Sequence, residues 1–414
     1  MYNVGRVNST MRELEFSTMF DTTSPSGMTD SFFDPLAAQR QIKVIARHME
    51  WPDAWTKLVA IALSSQGPDI SEVGTTWLGS FQTMESLRPF LADEAALLGG
   101  EASYPPALWQ ACRVSRDNPI LAIPLTLDVR VVLYRRDWLQ KARVDETTAF
   151  ADVGQFRETL ACLKAAGHAS PLGLSTSQSR NRFVHDMASW VWSAGGDLRS
   201  DDGRWMMLMN PKSRAGMEAY FGLNEFISPD MRAFSETQVQ NAFFAGKTAV
   251  ALSKECDYLI PLMHRSEVLD EVAENIGLAM LMQVPYVGGS ALAIWRHTSR
   301  YQDALELIKY LNSAEAWRTL NTQVPPYTPA RLDVLEQSPL ATIPFFPAVR
   351  KSLESGRGFQ SGYRWSGVEA RLAAAIEDTW NDLRANPELD IARDVEKRFS
   401  DLSSRLEQTI LVSS

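Results

Sequence analysis

Short apolar runs with a period of two alternate along this chain with longer stretches in which apolar residues recur every three or four positions. The first pattern predicts strands and the second predicts amphipathic helices. Residues 14–20 (LEFSTMF) read as a first strand, and 42–50 (IKVIARHME) as a second after helical spacing from 34 onward. Residues 53–65 (DAWTKLVAIALSS) predict a helix with Asp53 as N-cap, closed by Gly67-Pro68, and a strand follows at 69–73. Strand, helix, strand in this order implies a parallel sheet. Residues 118–134 predict two apolar strands meeting at Leu127-Asp128. A helix over 152–166 has Asp152 and Gln155 as a capping box, Val153, Phe156, Leu160 and Leu163 as its apolar face, and Gly167 as its stop.

The second half repeats the alternation. Helices are predicted at 184–194, 214–227 and 236–245, and strands at 248–252 and 276–281. Ser299 and Gln302 predict a capped helix over 300–311, after a loop and strand in QVPYVGGSALAIW. Two long amphipathic helices finish the chain. One carries Val368, Leu372, Ile376, Trp380 and Leu383, and the other Ile391, Val395, Phe399, Leu402, Leu406 and Ile410. No internal repeat interrupts the pattern, and no run of eighteen apolar residues predicts a membrane span.

Composition narrows the function. Of 414 residues, 45% are hydrophobic and 22% charged, an ordinary globular balance with material for two or three domains. The net charge of −9 comes without a basic stripe, which argues against nucleic acid as the main partner. The odd, scattered cysteines Cys112, Cys162 and Cys256 form neither a disulfide framework nor a metal motif. The five histidines lack metal-ligand spacing, and no phosphate-binding or nucleophile-elbow motif occurs. No cofactor or metal is expected. Twelve tryptophans are the informative excess, because several sit beside turn residues: Trp51 before Pro52, Trp77 after Gly-Thr-Thr, Trp365 after Gly-Tyr-Arg. Aromatics on loops are candidate ligand surfaces.

Five stretches, in order, carry a family resemblance. They are DAWTKLVAIALSSQGPDISEVG, IPLTLDVRVVLYRRDWLQKARV, HDMASWVWSAGGDLRSDDGRW, NAFFAGKTAVALS and VGGSALAIWRHTSRYQDALELIKYLNSAEA. They run from Asp53 to Ala316, within a resemblance that covers about 14 to 410. The chain resembles extracellular solute-binding proteins of family 1, the sugar-uptake ABC-transporter type that includes maltose-binding protein. The resemblance implies a mixed α/β, two-lobed periplasmic-binding-protein fold of type II. It implies an N-terminal lobe of residues 1–127 plus 286–325 and a C-terminal lobe of 128–285 plus 326–414. Three crossings near Asp128, Pro285 and Pro325–Pro329 would join the lobes, which would close on a ligand by hinge bending.

The resemblance also directs the choice of site residues, since ligands of open parallel sheets lie beyond the carboxyl ends of strands. Asp21, Thr22 and Ser24 follow the first strand, and Thr75, Thr76 and Trp77 follow the strand at 69–73. Asp128 supplies a ligand-facing acid at the first crossing. Gly288, Gly289 and Ser290 bring bare backbone to the site, Asn181 and Arg182 add polar contacts, and Tyr363 and Trp365 form a stacking wall. After AVALS many relatives have Gly-Pro-Trp, where this chain has Lys254-Glu255-Cys256-Asp257-Tyr258. There Asp257 and Tyr258 are the candidates. Hydroxyls, a carboxylate and aromatic faces fit a neutral sugar.

The expected function is non-catalytic capture of a carbohydrate for ABC-transporter permease subunits, by a monomer. A cytoplasmic carbohydrate sensor of the same fold stays open as an alternative, and a glycosidase on this scaffold as a lesser one. The family implies a periplasmic or cell-surface location. No signal peptide is visible in MYNVGRVNSTMRELEF, which leaves a cytoplasmic location open.

Overall fold

A computed structural model describes residues 11–411, apart from 24–27, 116–117, 178–179, 201–202, 204, 255–267, 324–326, 345, 361 and 363–364. The chain forms two compact units, Met1–Thr126 with Gly289–Pro339, and Leu127–Gly288 with Leu340–Ser414.

In the first unit, β1 (Arg12–Thr18) lies between β2 (Ile42–His48) and β3 (Ile70–Gly74), parallel to both. β8 (Val287–Ile294) runs antiparallel to β3, pairing Gly74 with Ser290 and Ile70 with Ile294. β4 (Ile123–Arg135) lies on the far side of β8, and β9 (Thr328–Pro329) adds to β4. This register puts the ends of β1, β2 and β3 and the start of β8 along one edge.

In the second unit, the later part of β4 pairs antiparallel with both β6 (Val250–Lys254) and β7 (Ile276–Met280), and β5 (Leu172–Gly173) runs parallel to β6. Helices Arg180–Ser193, Pro211–Gly222, Trp365–Ala385 and Ile391–Leu411 pack on one another. The apolar stripes predicted on the last two helices are buried from Val368 to Leu383 and from Val395 to Leu406.

Three local expectations change. The two strands predicted at 118–134 are one, because nothing at Leu127-Asp128 breaks the backbone and Asp128 has a charge partner, Arg130, two residues along on the same face. The helix expected from Asp53 begins at Trp51, with Pro52 at its start, and Asp53 stands in its first turn. The helix expected from a Ser299 cap begins at Tyr301 without a side-chain cap at its N-cap residue, Arg300. The neighbouring Thr298 hydroxyl takes the Arg300 N–H at 3.0 Å. Asp152 does cap its helix, accepting the Gln155 N–H at 2.9 Å.

Candidate functional site

In the first unit the strand-end edge is built on a buried carboxylate. Glu72 of β3 is fully buried, and its Oε2 accepts the Thr18 hydroxyl at 2.7 Å and the Met19 N–H at 2.8 Å. Burial pushes its carboxyl up, and these bonds with Ser290 and the nearby His48 pull the other way. Ser290 also exchanges a hydroxyl bond with Thr126 at 2.7 Å and donates its N–H to the Thr126 Oγ1 at 3.1 Å. β1, β3, β8 and β4 are thereby tied through side chains as well as backbone.

Thr75, Thr76 and Trp77 form one 3₁₀ turn directly after β3, and all three are buried. Thr75 donates its hydroxyl to the Gly289 carbonyl at 3.2 Å. Gly289 has φ 153°, a conformation that favours glycine. Trp77 is 6% exposed, and its indole folds back over Gly74, where a side-chain Cβ would lie 3.1 Å from the ring. Trp51 and Trp55 of the helix Trp51–Ser64 meet the same indole at 5.8 Å each. The most exposed member of this aromatic cluster is Trp51, at 41%, and Trp55 is half-buried. Asp21 and Thr22 are half-buried on the same edge, and Asp21 forms a local turn by accepting the Thr23 N–H at 2.7 Å and the Thr23 hydroxyl at 2.8 Å.

The second unit presents a different chemistry. Asp128 and Arg130 of β4, Asp186 of the helix Arg180–Ser193 and Glu236 of the helix Glu236–Phe244 converge. The Arg130 Nε lies 3.2 Å from Asp186 and 3.6 Å from Asp128, and its Nη1 lies 3.3 Å from Glu236. Glu236 also pairs with Arg182 and accepts the Ser253 hydroxyl at 3.1 Å. Burial pushes the Asp128 carboxyl up, but Arg130, helped by His185, Lys254 and Arg182, holds it below its ordinary range. Asp186 is displaced the opposite way, raised by burial that Arg130, His185 and Arg182 only partly offset.

Beside this cluster stands an aromatic layer. His185 stacks on Tyr286 with centroids 4.1 Å apart, and its Nε2 pairs with the buried Glu369 at 3.1 Å. Phe359 joins that layer to Trp365, whose ring is 4.6 Å away and buried, with the Arg199 guanidinium 5.4 Å from its centroid. A Cβ at Gly288 would strike the Tyr286 phenol at 2.1 Å, so the bare position makes room for that ring.

Of the residues expected from sequence, Asp21, Thr22, Thr75, Thr76, Trp77, Gly289 and Ser290 share the edge of the first unit. Asp128 and Arg182 meet through Arg130 and Glu236, and Gly288 and Trp365 border the aromatic layer. Ser24, Asp257, Tyr258, Tyr363 and the Asn181 side chain lie outside the described residues. Sequence reasoning missed Glu72, Arg130, Asp186, Glu236, His185 and Glu369. Among the described residues, no group of three His, Cys, Asp or Glu is placed to hold a metal ion, and no helix is long and apolar enough to cross a membrane.

Residues 31–348 match the family described as bacterial extracellular solute-binding protein. A probable ABC transporter-binding protein of Deinococcus radiodurans is 24% identical over 242 residues, covering 55% of each chain, so this chain spans about half the length of that relative. The sugar-binding protein MalE of Xanthomonas citri has a similar structure, with a TM-score of 0.76 at 19% identity over 97% of this chain and 98% of that one. A solute-binding protein of Thermotoga lettingae bound with α-D-tagatose has a TM-score of 0.73 at 16% identity, over 95% and 99% of the two chains.

Proposed function

Because the chain belongs to the bacterial extracellular solute-binding proteins, we propose that it captures a neutral carbohydrate outside the cytoplasm and delivers it, chemically unchanged, to an ABC importer. The observation that carries this reading is Asp128, a carboxylate 20% exposed and backed by a buried arginine. An ionised carboxylate accepts hydroxyl hydrogens strongly, and a guanidinium behind it offsets the charge that would otherwise select a cation. The half-exposed Trp51 ring, supported edge-on by Trp77, offers a face for sugar C–H groups. The names of the sugar-binding structural relatives agree with this chemistry.

The pairing of the same carboxylates with Arg130 supports delivery without catalysis. Glycoside hydrolysis needs one carboxylic acid able to give up a proton and a second carboxylate as nucleophile or base. Asp128, held below its ordinary range, is a poor proton donor; Asp186, displaced upward, is only 10% exposed and, like Glu236, is paired with Arg130.

A thermal-shift screen tests the reading, with neutral mono-, di- and oligosaccharides set against spermidine and amino acids. A ligand at a hundred times its dissociation constant adds about 2.7 kcal/mol to the folded state. At least one neutral sugar should raise Tm. A rise with spermidine or an amino acid and with no sugar overturns the proposal.

A further inference from the structure

Arg130 is 1% exposed, so it stands out of reach of a ligand, yet it binds three carboxylates from three elements. Such an arrangement is hard to explain as a stabilising device, because apolar residues of similar volume often replace buried ion networks without loss. The carboxylates are unequal. Asp186 and Glu236 lie within 3.3 Å of the guanidinium, while Asp128 lies 3.6 Å away and is the most exposed of the three. The Asp128 Oδ1, the atom that faces Arg130, is buried and takes no hydrogen bond among the described residues, so the exposed part of this side chain lies on its other atoms. The alternation of β4 puts residues 128 and 130 on one face, so the backbone fixes their separation.

We propose that Arg130 is a positioning residue for ligand binding: from inside the second unit it fixes the orientation of Asp128 and keeps its negative charge available to ligand hydroxyls. The proposal rests on the reading that Asp128 receives a polyol. Asp186 completes the arrangement. It shares Arg130 but is more buried, and the two carboxyls are displaced in opposite directions. Because both carboxyls share one guanidinium, they titrate as a coupled pair, with Asp128 the more exposed member.

Other charged groups face the pair from each packed element. The helix Arg180–Ser193 contributes Arg182 and His185, and β6 contributes Lys254. Glu369 of the helix Trp365–Ala385 acts through its bond to His185. Tyr286 and Tyr220 stay neutral, because burial raises both phenols well above their ordinary range.

The test uses the full chain with Arg130→Met and Arg130→Lys, and needs two readouts. The first is the pH at which the Asp128 carboxyl carbon titrates by NMR, which requires no sugar. It should move upward in Arg130→Met and stay near wild type in Arg130→Lys. The second is affinity for maltose, the probe sugar, by calorimetry across pH 5–8. In Arg130→Met, affinity at pH 5 should fall about tenfold below that at pH 8, while wild type changes little, because binding is lost as pH falls through the Asp128 pKa. If Arg130→Met does not fold, Asp186→Asn carries the test. It removes a competitor for the guanidinium, so Asp128 should titrate no higher than in wild type.

An unmoved Asp128 titration in Arg130→Met, or a higher one in Asp186→Asn, overturns the proposal. So does a loss of maltose affinity that is equal at every pH. Absence of any sugar binding by wild type, with the Asp128 titration moving as expected, counts against the carbohydrate reading and leaves Arg130's hold on Asp128 standing.

Discussion

Gly216→Ala should destabilise the second unit, although alanine is the better helix former. Gly216 lies in the helix Pro211–Gly222 where it crosses the helix Arg180–Ser193. A Cβ there would lie 2.6 Å from the Val191 Cα and 2.8 Å from the Trp190 carbonyl oxygen, against an ordinary contact of 3.4 Å or more. Both neighbours are backbone, so no rotamer change relieves the clash and the two helices must part. Overpacking of this kind costs about 1–3 kcal/mol, and a backbone clash belongs at the upper end. Helix propensity returns about 1 kcal/mol. The net loss is about 2 kcal/mol, or about 4–8 °C in Tm for a unit of this size. Gly367→Ala is the matched control. Its nearest neighbour is the Arg371 guanidinium at 4.0 Å, so propensity acts alone and adds up to about 1 kcal/mol. Urea denaturation followed by far-UV circular dichroism compares the two. Because the displaced helix carries Asp186, sugar affinity should also fall in Gly216→Ala and hold in Gly367→Ala. A Gly216→Ala protein as stable as wild type would refute the close-approach argument.

Two further perturbations probe each unit. His168 is buried against the edge of Trp138 at 4.3 Å, and burial, reinforced by Arg135 and Lys141, pushes its imidazole down to about 4. The unfolded chain therefore takes up this proton first as pH falls, and stability should decline between about pH 6.5 and 4 by about 3 kcal/mol. His168→Gln should flatten that part of the stability–pH curve from urea titrations, and an unchanged slope would remove His168 as its source. Trp77→Ala should cost about 3–5 kcal/mol of folding stability, because the indole fills the space between Gly74, Trp51 and Trp55. A calorimetric Tm equal to wild type would place Trp77 outside the core.

The helices were largely legible because one-sided burial leaves a period in the sequence, as in the two final helices. The turn at Thr75–Trp77 was legible as a strand end. The burial of Trp77 was not, since it depends on Trp51 and Trp55 from the preceding helix. The break expected at Leu127-Asp128 does not occur, because Arg130 partners the acid within a continuous strand. The spacing Asp128-x-Arg130 held the signal, because alternate residues of a strand share a face. Asp186, Glu236 and Glu369 carried no such signal. Each lies more than fifty positions from Asp128 and joins the charged cluster only through the packing of separate helices.

Calorimetric titration of the wild-type protein with the neutral sugar that most raises its Tm, followed by chromatography of the recovered ligand, decides whether this chain captures a carbohydrate and releases it unchanged. One sugar per chain, bound with measurable heat and recovered intact after prolonged incubation, is the predicted result. No heat with any neutral sugar, or recovery of the bound sugar as hydrolysis products, would contradict it.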